Sequence, residues 1–418
     1  MKKVKIGVFG AGRGMTMVNQ VLSRSDAELV AVCDKYEPAL EKCKQTAREA
    51  GMNHVAYYTD FEDFFRHDMD AVVLANYAYQ HAPFAIRLLD SGRHVMSECL
   101  TCATMKEAVE LIEAVERNPH LVYSYSENYC YTAGRLEMKK RYRQGDIGEL
   151  LYAECEYRHD CSSIWPSLTY GQREHWRNVN YSTFYCTHSI GPILYMTGLR
   201  PIRVSGFETQ NADYMFNLGT TCGTGGIIML TLENGAVLKS LSGNLKHVTS
   251  SNYELNGTRG AMHDLGDGRL EIYFEGENEN GRGKTETYTA DPVLAEAANS
   301  GHGGSDYYTT HYFIRSILGD EDAKAAAIDV YTAVEMCIPG ILAFRSICSG
   351  NCSVDVPNLR DPKERDRYRN DTFCTFPDAA GDMWVPNYQG RTGTGEIEIP
   401  SDAVFEEVRR RFLAGEPG

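Results

Sequence analysis

A doubly wound, parallel α/β domain followed by a second α/β domain with a large, mostly antiparallel open sheet is the fold this sequence predicts. Three observations predict it. Through the first 125 residues, short apolar runs alternate with stretches of helical periodicity, the rhythm of parallel strands joined by crossover helices. A Gly-rich turn, Gly10-Ala11-Gly12-Arg13-Gly14-Met15, lies between the first run and the first helical stretch. Beyond about residue 147 the runs lengthen and alternate apolar with polar side chains, and Asn234-Gly235 separates two of them as a hairpin turn. The division that follows is 1–125 for the first domain and 126–418 for the second, which includes the C-terminal helices and tail.

The elements are justified in order. Val4 to Phe9, Glu28 to Cys33, Ala71 to Ala75, His94 to Met96 and Leu121 to Tyr123 are short apolar runs and predict strands. Pro38 to Ala50, His81 to Leu89 and Met105 to Glu116 carry apolar residues near a 3.6-residue period, with Gly51 and Gly92 as stops. In the second domain, strands are predicted over Leu150 to Asp160, Thr224 to Leu232, Val237 to Gly243, Ser251 to Asn256 and Leu270 to Phe274. Helices follow at Asp306 to Leu318, Val330 to Ser346 and Ala403 to Leu413. Gly276 to Glu286 is polar and Gly-rich and predicts an exposed loop.

Composition removes several function classes. With 42 basic against 57 acidic residues the formal charge is -15, a field that repels nucleic acid and anionic lipid, so neither is an expected partner. No apolar run approaching 18 residues is evident, and the N-terminus lacks a signal-peptide pattern. Thirteen cysteines, an odd number, fit free thiols in a reducing compartment, and a cytoplasmic location is expected. Tyrosine is abundant, with 26 against 15 Phe and 3 Trp.

The Gly-rich turn sits in the strand-to-helix context that lets backbone N–H groups approach a pyrophosphate. Read as G-x-G-x-x-G, the motif puts Met15 at the third glycine. Either the helix packs less closely there, or Gly14 serves in a shortened turn. Asp34, ending the second run, is placed to accept hydrogen bonds from a ribose 2′-OH and to repel a 2′-phosphate, which favours NAD over NADP. The first domain therefore reads as an NAD-binding Rossmann domain. Its cofactor residues are assigned as Gly10, Gly12, Arg13, Gly14, Met15, Asp34, Asn76, His81, Glu98, Glu127 and Asn128.

After His94 to Met96 the sequence runs Ser97-Glu98-Cys99-Leu100. Here it resembles the Gfo/Idh/MocA superfamily, whose motif at this place is Glu-Lys-Pro. Glu98 matches the Glu, whereas Cys99 and Leu100 replace the Lys and Pro. In the sugar dehydrogenases of that superfamily the Lys helps move the hydroxyl proton as hydride leaves the same carbon. Cys99 and Cys102 have redox or metal spacing, but no second pair completes a zinc site and both read as core thiols; no metal ligand set is assigned.

Further motifs are Glu127-Asn128-Tyr129-Cys130-Tyr131, Gly148-Glu149, the run Ala153 to Asp160, Tyr185-Cys186-Thr187-His188-Ser189-Ile190-Gly191-Pro192, Gly301 to Asp306 and Ile328 to Tyr331. With these the chain is similar to glycoside hydrolase family 109, a branch that includes NAD-dependent α-N-acetylgalactosaminidases and also replaces the lysine. The resemblance implies a carbohydrate substrate and a glycosidase that uses NAD⁺ as a recycled catalyst. Hydride leaves C3, the C2 proton is removed, the C1 substituent is eliminated, water adds and hydride returns. The alternative is an NAD-dependent sugar or inositol dehydrogenase, or a keto-sugar reductase. A homo-oligomer through the second sheet is expected, as is common in the superfamily.

The catalytic candidates are Tyr157, His159 and His188. In a strand, Tyr157 and His159 project from one face with Ala153 and Cys155, while Glu154, Glu156 and Arg158 point the other way. Tyr157 is the candidate base, which calls for nearby positive charge, from a nicotinamide ring or from Arg158, to lower the phenol. His159 or His188 is the acid or handles the C3 hydroxyl proton. Tyr185, Arg177, His302 and Asp306 are assigned to substrate, although Asp306 also reads as the N-cap of the following helix. Arg135, Arg173 and Arg177 are the basic residues available for an anionic sugar.

Overall fold

The computed structural model describes residues 3–266, 268–276, 283–387 and 398–418. Two compact units are formed, Met1–Ala133 with Asp291–Val334, and Gly134–Ala290 with Glu335–Gly418.

The first unit holds a six-stranded sheet of β1 (Val4–Phe9), β2 (Ala27–Cys33), β3 (Ala56–Tyr58), β4 (Ala71–Leu74), β5 (His94–Ser97) and β6 (Tyr123–Tyr125). Its order is β3-β2-β1-β4-β5-β6 and every pair is parallel. β1 leaves the sheet at the Gly-rich turn, and β2 and β4 flank it. The turn therefore lies where the strand order reverses, the position at which such sheets bind ligands.

One apolar core joins Val8, Val18, Val32, Leu40 and Val73 to Phe313 and Ile314 of the helix Ser305–Ile317. The segment Asp291–Val334, which the division at residue 125 puts in the second domain, thus belongs to the first unit. The helical pattern of Asp306 to Leu318 is legible from sequence. Its partner is not, because periodicity gives a helix an apolar face without saying which core receives it.

Among the described residues, the second unit holds a nine-stranded sheet. Its strands are β7 (Leu150–Arg158), β8 (Pro201–Glu208), β9 (Gly225–Leu232), β10 (Val237–Gly243), β11 (Ser251–Gly257), β12 (Gly260–Gly266), β13 (Arg269–Phe274), β14 (Lys284–Thr289) and β15 (Val354–Asp355). The order is β14-β13-β12-β11-β7-β10-β9-β8-β15. Within this sheet, among the described residues, β7 and β10 pair in parallel and the other pairs are antiparallel. Ala153 and Cys155 of β7 are buried, and the helix Thr187–Thr197 packs on β7. Glu154, Glu156 and Arg158 alternate with them.

The predicted elements recur with small boundary shifts. β3, β8, β12, β14 and β15 are additional: β8 begins at a proline and contains Gly206, and β12 begins and ends at glycine, so neither gives a clean two-residue alternation. The predicted loop Gly276 to Glu286 lies partly outside the described residues, and β14 already begins at Lys284. The helix Val330–Cys348 is long and apolar enough to cross a membrane by composition, which the sequence reading did not expect; most of it is buried inside the protein. None of the cysteines is disulfide-bonded.

The helix Met105–Arg117 starts with a reciprocal cap. Thr104 Oγ1 accepts from Glu107 N at 3.1 Å, and Glu107 Oε2 accepts from Ala103 N at 2.7 Å. Burial pushes the Glu107 carboxyl up to about 7, against the pull of the Ala103 and Thr104 N–H groups. The folded state therefore holds this proton more tightly than the unfolded chain. The stability gained is complete below the ordinary carboxylate range and is lost as pH rises through about 7. Chemical denaturation between about pH 5 and about pH 8 should show Glu107→Gln less pH-dependent than the wild type. An equal slope in both proteins would rule this assignment out.

Candidate active site

The first unit is shaped for a dinucleotide by its backbone. Gly10 has φ +101°, and a Cβ there would lie 2.2 Å from Ala75 O and 2.5 Å from Asn76 N. At Gly14, the N-cap of the helix Met15–Leu22, a Cβ would lie 1.9 Å from Gly10 O and 2.7 Å from Val8 Cγ1. Gly14 is thus the close-packed glycine of a shortened turn. Met15 begins the helix, with its sulfur 4.0 Å from Cys43 Sγ.

Asp34 at the end of β2 accepts from Ala11 N at 2.6 Å through one oxygen and from Tyr36 N at 2.8 Å through the other. The carboxylate fixes the turn and keeps one lone pair on each oxygen for a ribose diol. Asn76, the second residue past β4, has both side-chain amide atoms buried and unpartnered. An orphaned amide beside a cradle that admits no Cβ fits a dinucleotide, because an unfilled buried polar pair is costly.

Other assigned residues serve the frame. His81 is buried with Nδ1 2.9 Å from Leu100 O and Nε2 3.3 Å from Asn76 O, so its ring ties together the loops after β4 and β5. Burial lowers its pKa to about 4, which keeps the ring neutral. Glu127 is buried and accepts from Tyr129 N at 3.3 Å and from Cys99 Sγ at 3.3 Å. Burial first, then the charges of Glu127 and Glu98, hold the Cys99 thiol well above its ordinary value. At the position of the superfamily lysine this chain therefore carries a protonated, buried thiol in place of a mobile cation.

Asp306 is 1% exposed and is not the N-cap; Gly304 is. One oxygen accepts from Arg13 Nη2 at 2.7 Å and Asn128 Nδ2 at 2.9 Å, the other from His302 Nδ1 at 2.6 Å. Arg13 Nε donates to Glu98 Oε1 at 2.9 Å. Burial opposes the Asp306 charge, but His302 and Arg13 outweigh it and hold the carboxyl well below the usual range. His302 and Asp306, read from the sequence as substrate residues, are thus joined to the dinucleotide turn.

In the second unit, Tyr157 Oη lies 2.8 Å from His159 Nδ1, and its ring meets His188 edge-on with centroids 4.6 Å apart. β7 carries Tyr157, the residue just past its end is His159, and the start of the helix Thr187–Thr197 brings His188. Tyr185 is 6.0 Å from His188 by ring centroids and accepts from Arg177 Nη2 at 3.3 Å. Arg158 pairs with Glu156 at 2.8 Å, as its place in the strand alternation requires, and is not the cation that activates Tyr157.

Arg135 is committed to Asp264 at 3.0 Å and to the Tyr253 ring, and Arg173 pairs with Asp402. Of the three arginines, Arg177 is the one in the cluster. Sequence reasoning missed Trp176, whose ring lies 4.5 Å from the Arg177 guanidinium and stacks on Tyr185, and Tyr253, whose hydroxyl donates to His188 O. The adjacency of Trp176 to Arg177 is a signal that was available. Tyr253 gives none, because its role depends on strand register.

Comparison with known families bears on both units. Residues 4–126 match an oxidoreductase family with an NAD-binding Rossmann fold, Gfo/Idh/MocA, and residues 131–363, more than half of the chain, match the C-terminal domain of glycosyl hydrolase 109. The chain belongs to glycosyl hydrolase family 109. A family 109 protein of Saccharopolyspora erythraea is 27% identical over 394 residues, covering 85% of this chain and 83% of the relative. An alpha-N-acetylgalactosaminidase of Tannerella forsythia is 25% identical over 414 residues, covering 85% and 86%. The scyllo-inositol dehydrogenase of Lactobacillus casei, solved with NAD(H) and scyllo-inositol, shares the fold. Its TM-score is 0.66 at 18% identity, over 86% of this chain and 100% of that one. This family 109 protein is an NAD-dependent enzyme, with its dinucleotide turn in the first unit and its Tyr–His cluster in the second.

Proposed function

We propose that this enzyme hydrolyses a glycosidic bond by a redox-assisted elimination in which NAD⁺ is regenerated within each turnover. The observation that carries the reading is the Tyr157–His159 hydrogen bond of 2.8 Å against the His188 ring. It is an acid–base cluster in a chain whose other unit is built for NAD. The family 109 membership supports a glycoside as substrate.

NAD⁺, when bound at the Gly10 to Met15 turn, supplies a reversible hydride acceptor for C3 of the sugar, and the resulting ketone acidifies the C2 proton. Gly10, Gly14, Asp34 and Asn76 would hold it there. A phenol titrates at about 10 and is a weak base alone. His159 shares one proton with Tyr157, so the phenol oxygen is able to carry charge as a neighbouring imidazolium forms. Tyr157 then takes the C2 proton; the C2–H electron pair forms the C1–C2 double bond and expels the C1 substituent. His159 and His188 divide the remaining transfers, to the departing oxygen and at the C3 hydroxyl. On water addition at C1, Tyr157 returns its proton to C2. No pair of carboxylates flanking the bond is called for, unlike the usual glycosidase route.

The buried thiol at Cys99 supports this reading over net sugar oxidation, since it offers no lysine-like proton carrier. Incubation with aryl glycosides and no added nucleotide should release aryl alcohol without net NADH. Stoichiometric NADH instead would make the enzyme a dehydrogenase. We also propose a homo-oligomer through the second sheet; light scattering on the full chain should report a dimer or larger, and a monomer refutes it.

A further inference from the structure

We propose that Asp306 is a positioning residue for the cofactor: through Arg13 it clamps the Gly-rich turn, so that NAD stays bound from one turnover to the next. This rests on the reading of NAD as a catalyst regenerated in place.

The argument starts from how completely Arg13 is used. Its Nε donates to Glu98 at 2.9 Å, Nη2 to Asp306 at 2.7 Å, and Nη1 to Thr16 at 3.2 Å and Asp306 at 3.4 Å. A guanidinium engaged by two carboxylates on opposite edges is a strut and not an open phosphate ligand. Glu98 is itself fixed, its other oxygen accepting from Cys99 N at 3.1 Å. Arg13 therefore connects the turn after β1, the loop after β5 and the segment 301–306.

The backbone at 301–306 is shaped to deliver Asp306. His302, Gly303 and Gly304 have φ of +52°, +65° and +92°, three consecutive left-handed residues that only a glycine-rich stretch adopts cheaply. A Cβ on Gly301 would lie 2.7 Å from Asp306 Oδ2. The carboxylate that results is buried and saturated by Arg13, Asn128 and His302. Buried charges joined this way are costly to break singly, because the partner's charge is left uncompensated. A turn held by such a clamp keeps its N–H groups aimed where a pyrophosphate binds, and rigidity in the free state lowers the cost of holding the ligand.

Two ideas about Asp306 predict opposite signs. If its charge acts only through space on a diphosphate, Asp306→Asn removes a repulsion and slows NAD release. If it is a clamp, the same change loosens Arg13 and NAD leaves on the order of tenfold faster. The test uses the full chain loaded with NAD, passed rapidly into nucleotide-free buffer, with retained nucleotide measured against time after denaturation. Phe313→Leu, a core change about two turns further along the same helix and outside these hydrogen bonds, is the stability control.

Faster release from Asp306→Asn, with Phe313→Leu at the wild-type rate despite a lowered melting temperature, supports the clamp. Unchanged or slower release overturns it, as does equally fast release from Phe313→Leu. If the wild type itself retains no NAD, the regenerated-catalyst reading fails. The Kd for added NAD in the same variants then decides the role of Asp306 by the same ordering.

Discussion

Tyr157→Phe is expected to lower kcat for aryl-alcohol release by on the order of 10³-fold, within the range for removing a positioned base. The substitution deletes one oxygen and preserves the ring that meets His188 at 4.6 Å, so folding and NAD content should be unchanged. The two halves of the proposed reaction then separate. C3 oxidation does not call on Tyr157, so adding glycoside to the variant should still produce the absorbance of reduced nicotinamide, without aglycone release. Hydrogen at C2 provides the second readout: in D₂O the wild type should exchange it and the variant should not. Retention of activity within a few-fold would remove Tyr157 from the role of base. His159→Ala should fall less, by about 10 to 100-fold, because it removes the partner that shares the proton and leaves the phenol in place.

The parts of this site that were legible in the sequence are those set by local periodicity. Alternation along β7 and the residue just past it puts Tyr157 and His159 on one face, and the structure bonds them to each other. The Gly-rich turn was legible because a strand-to-helix turn of this kind has few sequence solutions. Asp306 shows the limit. Its place near the start of a helix could be read from spacing, but its partners Arg13 and Asn128 are 293 and 178 residues away, a distance over which sequence pattern carries no pairing information. The same limit explains the domain boundary: the return of Asp291–Val334 to the first unit is decided by where Phe313 and Ile314 find an apolar core. Arg158 failed as an activator for a local reason, since the alternation that places Tyr157 turns its neighbour away.

Gly10→Ala is expected to cost roughly 2–5 kcal/mol and to abolish NAD retention, because two penalties act at one atom. The first is conformational: at φ +101° any side chain is strained, by about 1–2 kcal/mol. The second is steric. The new Cβ would stand 2.2 Å from Ala75 O, just past the end of β4, a strand hydrogen-bonded between β1 and β5 with no direction in which to retreat. Gly51→Ala isolates the first penalty. Gly51 has φ +78° with nothing within 4 Å of the added carbon, so that variant should lose only about 1–2 kcal/mol and hold NAD like the wild type. Denaturation of both, with bound nucleotide measured alongside, therefore distinguishes a strained turn from an obstructed one. Equal losses in the two variants would mean that β4 yields to the methyl group, and the close approach at Gly10 would then not be what shapes the turn.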